Sequence, residues 1–198
     1  MSYGVSMDDL MGQLADSTKR LTKSQILSLS DLPLIDSKRF GELWQGLGVK
    51  RRRQLISQLV SEAEANIEVN FDRVLVACLN DGDEIVRTKA IEGLWECHEP
   101  ALVGTFTTLL QNDSSPIVRA AAAKALGIFA LLAEIGKIRP QYAEQLEASL
   151  LRTLEDNTQG MEIRQRALES VSYFNKAKIS EIIKDAYNSV ERPLKISA

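Results

Sequence analysis

NDSSPIVRAAAAKALG, residues 112–127, decides the fold, because its pattern returns on both sides of it. Asp113 sits in a polar turn and Arg119 opens a helix. Val118, Ala122, Ala125, Leu126 and Phe129 then recur at spacings of three and four, the period of one helical face. Moved back by 32 residues, the same set reads Asp81, Val86, Arg87, Ala90, Gly93, Leu94 and Cys97. Moved forward by 45 residues, the helical part reads Ile163, Arg164, Ala167, Ser170, Val171 and Phe174. Only the acidic turn slips, since Asp156 precedes its arginine by eight residues instead of six.

A second helical pattern precedes each turn. Phe71, Val74, Leu75, Cys78 and Leu79 form it in the first copy, Leu102, Val103, Phe106, Leu109 and Leu110 in the second, and Leu146, Leu150, Leu151 and Leu154 in the third. Each unit is therefore helix A, a short polar turn and helix B. One such hairpin cannot bury its apolar faces alone, so self-similarity at this period implies stacked neighbours.

An Asp in the turn, a Val-Arg pair opening helix B and a small residue followed by Leu later in that helix resemble HEAT repeats, in particular the short type of the phycobilisome lyase-like proteins. The resemblance covers residues 71–174 well, and 37–64 and 178–190 loosely. It implies an all-α, right-handed α-solenoid (an ARM/HEAT-like superhelix) of about four hairpins with capped ends. In that family the turn Asp and the helix-B Arg form a ladder between adjacent repeats, which here implies Asp81, Arg87, Asp113, Arg119 and, across the longer turn, Arg164. An arginine at the positive end of a helix dipole also needs an acidic neighbour on physical grounds.

With 198 residues, 44% of them hydrophobic and 26% charged, the chain is long enough for one domain with a continuous core. Pro is scarce, and no stretch alternates with period two for long enough to suggest a sheet. A net charge of −3 argues against a surface built wholly for nucleic acid or anionic membrane. No run approaches 18 uninterrupted apolar residues and the first twelve carry Asp8 and Asp9, so neither a membrane span nor a secretory signal is expected. Cys78 and Cys97 occupy core positions too far apart to bridge, which fits a reducing cytoplasm.

The remaining segments divide around the repeats. Residues 1–36 read as a partly helical cap or a partner-dependent arm: Met7, Leu10, Met11 and Leu14 share a face, Thr22 to Gln25 resembles a capping box, and Asp31, Pro33 and Asp36 break the pattern. Within a repeat domain over 37–190, residues 37–66 are an atypical repeat without the signature, followed by repeats at 71–98, 100–138 and 140–176. A capping helix over 178–190, with Ile179, Ile182, Ile183, Ala186, Tyr187 and Val190 on one face, precedes a tail at 191–198. The Gly46–Gly48 tripeptide lacks the strand and third glycine of a phosphate loop and reads as a helix end. The second helix of 100–138 runs long, and FALLAEIGKI is apolar around most of its circumference: either the next unit buries it, or it offers an apolar ledge.

Catalytic material is thin. His98 is the sole histidine, and its neighbours Glu96, Cys97 and Glu99 point in different directions on a helix, so they cannot converge on a metal. No catalytic, cofactor or metal residue is assigned, and none of these chemistries is expected. Ten of the 24 Lys and Arg nevertheless fall in the first halves of successive B helices. Setting aside the ladder arginines, Lys50, Arg51, Arg52, Arg53, Lys89, Lys124 and Arg166 are candidates for an anion- or partner-binding edge. Residues 50–53 span about 300° of helix and cannot all share one face. Trp44 and Trp95 lie in the apolar pattern and are expected in the core.

The function expected is a non-catalytic scaffold or adaptor that binds a protein partner through the inner surface of its B helices. Nucleic-acid binding by the basic edge is the alternative. A bilin-lyase-like or DNA-glycosylase-like enzyme follows from the resemblance of fold alone.

Overall fold

Local signals start and stop the helices. Ser6 caps α1 (Met7–Ala15) by accepting from the Asp9 amide, and Thr22 with Gln25 closes the expected capping box of α2 (Lys23–Leu27). Pro33 precedes α3 (Leu34–Trp44), which begins ahead of the Ser37 start that the apolar period suggests. The period misses the first turn because Leu34 and Ile35, though apolar, point outward. Then follow α4 (Val49–Ala65), α5 (Asp72–Cys78), α6 (Glu84–Gly93), α7 (Ala101–Asn112), α8 (Pro116–Glu134), α9 (Pro140–Glu155), α10 (Met161–Val171) and α11 (Ala177–Tyr187). The computed structural model describes residues 6–188 and Leu194, and every regular element among them is a helix.

The chain divides into two compact units, Met1–Glu96 and Cys97–Ala198. In the first, α1, α3 and α5 pack side by side as one layer and α2, α4 and α6 as another. Leu14, Phe40, Trp44, Leu55, Leu59, Phe71 and Leu75 fill the space between them. The α1–α2 pair thus follows the same alternation as the repeats, and the segment read as a cap or arm contributes a hairpin of its own. Residues 1–5 lie outside the described part.

In the second unit α7 and α9 form one layer and α8 and α10 the other, with α8 also against α7 and α9. The long α8 buries one face, with Val118, Ala122, Ala123, Leu126, Phe129 and Ala130 in the core. Gly136, at φ 73°, stops it, with the Lys137 amide donating to Leu132 and the Gly136 amide to Ala133, a Schellman ending. By length and composition α8 is apolar enough to cross a membrane, but in this unit it packs on three helices. The amphipathic α11 buries Ile179, leaves Ile182, Ile183 and Ala186 half-covered, and exposes Tyr187. Val190 and the 191–198 tail, Leu194 apart, fall outside the described residues.

One tryptophan departs from expectation. Trp44 is buried, but Trp95 is 58% exposed. The reason is local: α6 ends at Gly93, and Trp95 sits in the following turn, where the helical period no longer sets direction.

Candidate functional site

The helix-B arginines have a common task. Arg87 Nη1 donates to the Asp81 carbonyl and Arg119 Nη1 to the Asp113 carbonyl, each at 2.8 Å, while Arg164 Nε reaches the Leu154 carbonyl at 3.0 Å. Arg52 does the same for the 37–66 repeat, donating to the Leu47 carbonyl at 2.5 Å. Each arginine closes its own hairpin by satisfying a carbonyl left over where helix A ends or the turn begins. The acceptor is backbone, so no residue type marks it; this is why Arg52 does not stand out in the sequence and why the slip at Asp156 leaves Arg164 served. Asp156 itself accepts from the Thr158 hydroxyl and amide, and these hold its carboxyl below the usual range.

In the first unit a rung joins neighbouring hairpins through Arg52. Arg52 Nε lies 2.9 Å from Asp81 Oδ2. The buried Asp81 carboxylate also accepts the Trp44 indole N–H at 2.5 Å and the Asp83 amide at 2.8 Å. A buried carboxylate with an ion pair and two hydrogen bonds meets its desolvation cost. One residue on, Arg53 forks onto Asp83, Nε to Oδ1 at 2.9 Å and Nη2 to Oδ2 at 2.5 Å. Asp83 also caps α6, and Arg53 first, then the Val86 and Ile85 amides, holds its carboxyl below the ordinary value.

Arg51 corrects the edge most sharply. It is only 6% exposed, and its three nitrogens donate to the carbonyls of Leu14 (2.6 Å), Asp16 (3.1 Å) and Lys19 (3.1 Å). It staples the C-terminal end of α1 and the following loop to α4, where the helix dipole favours a cation. Lys89 pairs with Glu92 and Arg166 with Glu169, both one turn away on the same helix. Of the seven candidates, Lys50 and Lys124 remain as exposed cations with no ion pair among the described residues.

Two surfaces are left. The first is a groove of about 740 Å³ between the 16–21 loop and α4, carrying Lys19, Arg20, Lys50 and Arg53 with Arg51 beneath. Its loop wall is braced locally: Asp16 Oδ1 accepts from the Thr18 amide and hydroxyl, chiefly the latter depressing its carboxyl, and Lys19 pairs with Asp16 at 3.2 Å. The second lies on the far end of α8. Leu131 and Ile135, one turn apart, are 37% and 55% exposed, and Tyr173, 50% exposed, brings its ring against Gly127 one turn before Leu131. This is the apolar ledge that the sequence offered as an alternative to full burial.

No disulfide joins Cys78 and Cys97, both are buried, and burial first, then the Asp81 carboxylate, pushes the Cys78 thiol up. Among the described residues no group of three His, Cys, Asp or Glu side chains is placed to share a metal, and His98 is exposed.

Comparison with curated proteins gives no match. Among solved structures, a chain of the complex of CpcE and CpcF of phycocyanin lyase from Nostoc sp. PCC7120 is similar, with a TM-score of 0.56 and 18% identity over 83% of this chain and 96% of that one. At that identity the likeness is one of fold, the α-solenoid. A family model for HEAT repeats matches residues 73–172, half of the 198, and takes in the α5–α6, α7–α8 and α9–α10 hairpins. The chain belongs to the HEAT-repeat family.

Proposed function

We propose that this protein is a non-catalytic adaptor that binds a protein partner through the α8 ledge. The observation that carries the reading is the ledge itself: three large apolar side chains stay exposed, Leu131 and Ile135 at the end of a helix packed against three others and Tyr173 just past α10. Ordered apolar surface on a rigid support loses little entropy on binding, so a modest patch suffices for specific association. The solved relative, itself part of a two-protein complex, supports the same reading. The two buried thiols fit a reducing compartment such as the cytoplasm. Ile135→Asp places a charge on the ledge without touching the core. Partner co-purified with the tagged wild-type protein is expected to be lost with Ile135→Asp and kept with Ile67→Asp, whose parent side chain is 97% exposed elsewhere. Equal recovery with both variants contradicts the reading.

The relative's part in phycocyanin lyase raises a second reading, a lyase-like subunit handling a tetrapyrrole. Since both cysteines are buried, such a molecule would be held without a thioether to this chain. Titration with a linear tetrapyrrole decides it: a saturable absorbance shift supports the second reading, and an unchanged spectrum removes it.

A further inference from the structure

The groove between the 16–21 loop and α4 is not used by the ledge reading, and its chemistry is distinctive. Five of its lining residues are Lys or Arg and none is Asp or Glu, in a chain whose net charge is −3. Lys19 and Arg53 have carboxylate partners, Asp16 and Asp83, that stand outside the lining. Arg20 and Lys50 are exposed and form no ion pair among the described residues. Beneath them, the hydrogen bonds described for buried Arg51 all go to backbone carbonyls, which satisfy its donors and leave its charge uncancelled. The first turn of α4, at Val49 and Lys50, also borders the groove and has no side-chain cap, so the positive end of a 17-residue helix adds to the same field.

Shape narrows the ligand. Lys50, Gln54 and Gln58 line the groove at four-residue spacing on one face of α4, about 12 Å along the axis. A single phosphate group cannot span that distance, whereas about four residues of extended peptide do. Gln54, Ser57 and Gln58 supply donors and acceptors of the kind that pair with a peptide backbone. Nucleic acid fits less well. No aromatic side chain lines the groove to stack a base, and Lys89, on the neighbouring α6, is paired with Glu92 and does not extend a phosphate track.

We propose that this groove binds an acidic peptide segment of a protein partner, its carboxylates held by Arg20, Lys50 and Arg53. The proposal rests on the adaptor reading and adds a second, charged contact to the apolar one. The test is fluorescence anisotropy with a labelled ten-residue poly-glutamate peptide and a labelled single-stranded oligonucleotide of equal charge, on the full chain at about 50 and 200 mM salt. Arg20→Glu with Lys50→Glu is compared with wild type, and Lys50→Ala serves if the double variant does not fold. The peptide is expected to bind more tightly than the oligonucleotide, to weaken with salt, and to lose about tenfold or more in the double variant. No peptide binding at low salt, binding insensitive to the substitutions, tighter oligonucleotide binding, or displacement of the peptide by low inorganic phosphate each overturns it. Ile135→Asp is expected to bind the peptide like wild type. Peptide binding with the ledge inert therefore condemns the ledge, and partner capture through the ledge without peptide binding condemns the groove alone.

Discussion

Four consecutive cations, Lys50 to Arg53, show how differently the same charge is used. Lys50 faces solvent, Arg51 is buried under backbone carbonyls, Arg52 closes its own hairpin and holds Asp81, and Arg53 forks onto Asp83. Replacing Arg51 with Met leaves three carbonyls without their donor, and urea unfolding is expected to show a loss of about 2–4 kcal/mol. Arg51→Lys recovers only part of it, because one ammonium cannot reproduce the planar fork that meets three separated acceptors. Arg53 gives a pH signature. Its pairing depresses the Asp83 carboxyl, so the stability this contributes is present above the unfolded carboxylate pKa of about 3.9 and is lost as pH falls through the lower folded value. The gap between wild type and Arg53→Ala in urea midpoints is therefore expected at pH 7 and expected to close in strong acid; a gap independent of pH contradicts it. The sequence shows that these four cannot share a face, since 100° per residue forbids it. It does not show which one turns inward, because the acceptors are backbone carbonyls 32 to 37 residues away.

At the scale of elements, the apolar period locates most buried positions of α5 to α10, because stacked hairpins bury one continuous face of each helix, though it passes over Ile91, Ala123, Ala130 and Leu168. It fails where apolar residues point outward, at Leu34, Ile35 and Trp95. Gly93, the small residue of the signature, shows what its size serves. A Cβ there would sit 2.9 Å from both Leu75 Cδ1 and Val60 Cγ2, so α6 meets α4 and α5 across a bare Cα. Gly93→Ala is expected to cost about 1–3 kcal/mol despite its better helix propensity, since both neighbours are buried and Val60 has no spare rotamer. A thermal melt at or above that of wild type would contradict this packing. The α1–α2 hairpin was legible as helices, capping box included, but its place in the two layers was not, since it lacks the turn Asp and Val-Arg signature. The staple that seats it, Arg51, belongs to another hairpin.

On the scale of the whole molecule, the repeat signature reveals the family and leaves the partner open, because its arginines close hairpins on backbone carbonyls. The two surfaces on which the proposals rest sit away from the signature: an apolar ledge at the end of α8 and a cationic groove beside α4. The basic edge legible in the sequence is largely absorbed by Asp81, Asp83, Glu92 and Glu169. The measurement that tests the adaptor account most directly is photo-crosslinking in cells from a photoreactive residue placed at position 135, with position 67 as the exposed control. The account predicts one discrete crosslinked protein from position 135 that is absent from position 67 and competed away by excess unlabelled wild-type protein. The same diffuse products from both positions, or none from position 135, would contradict it.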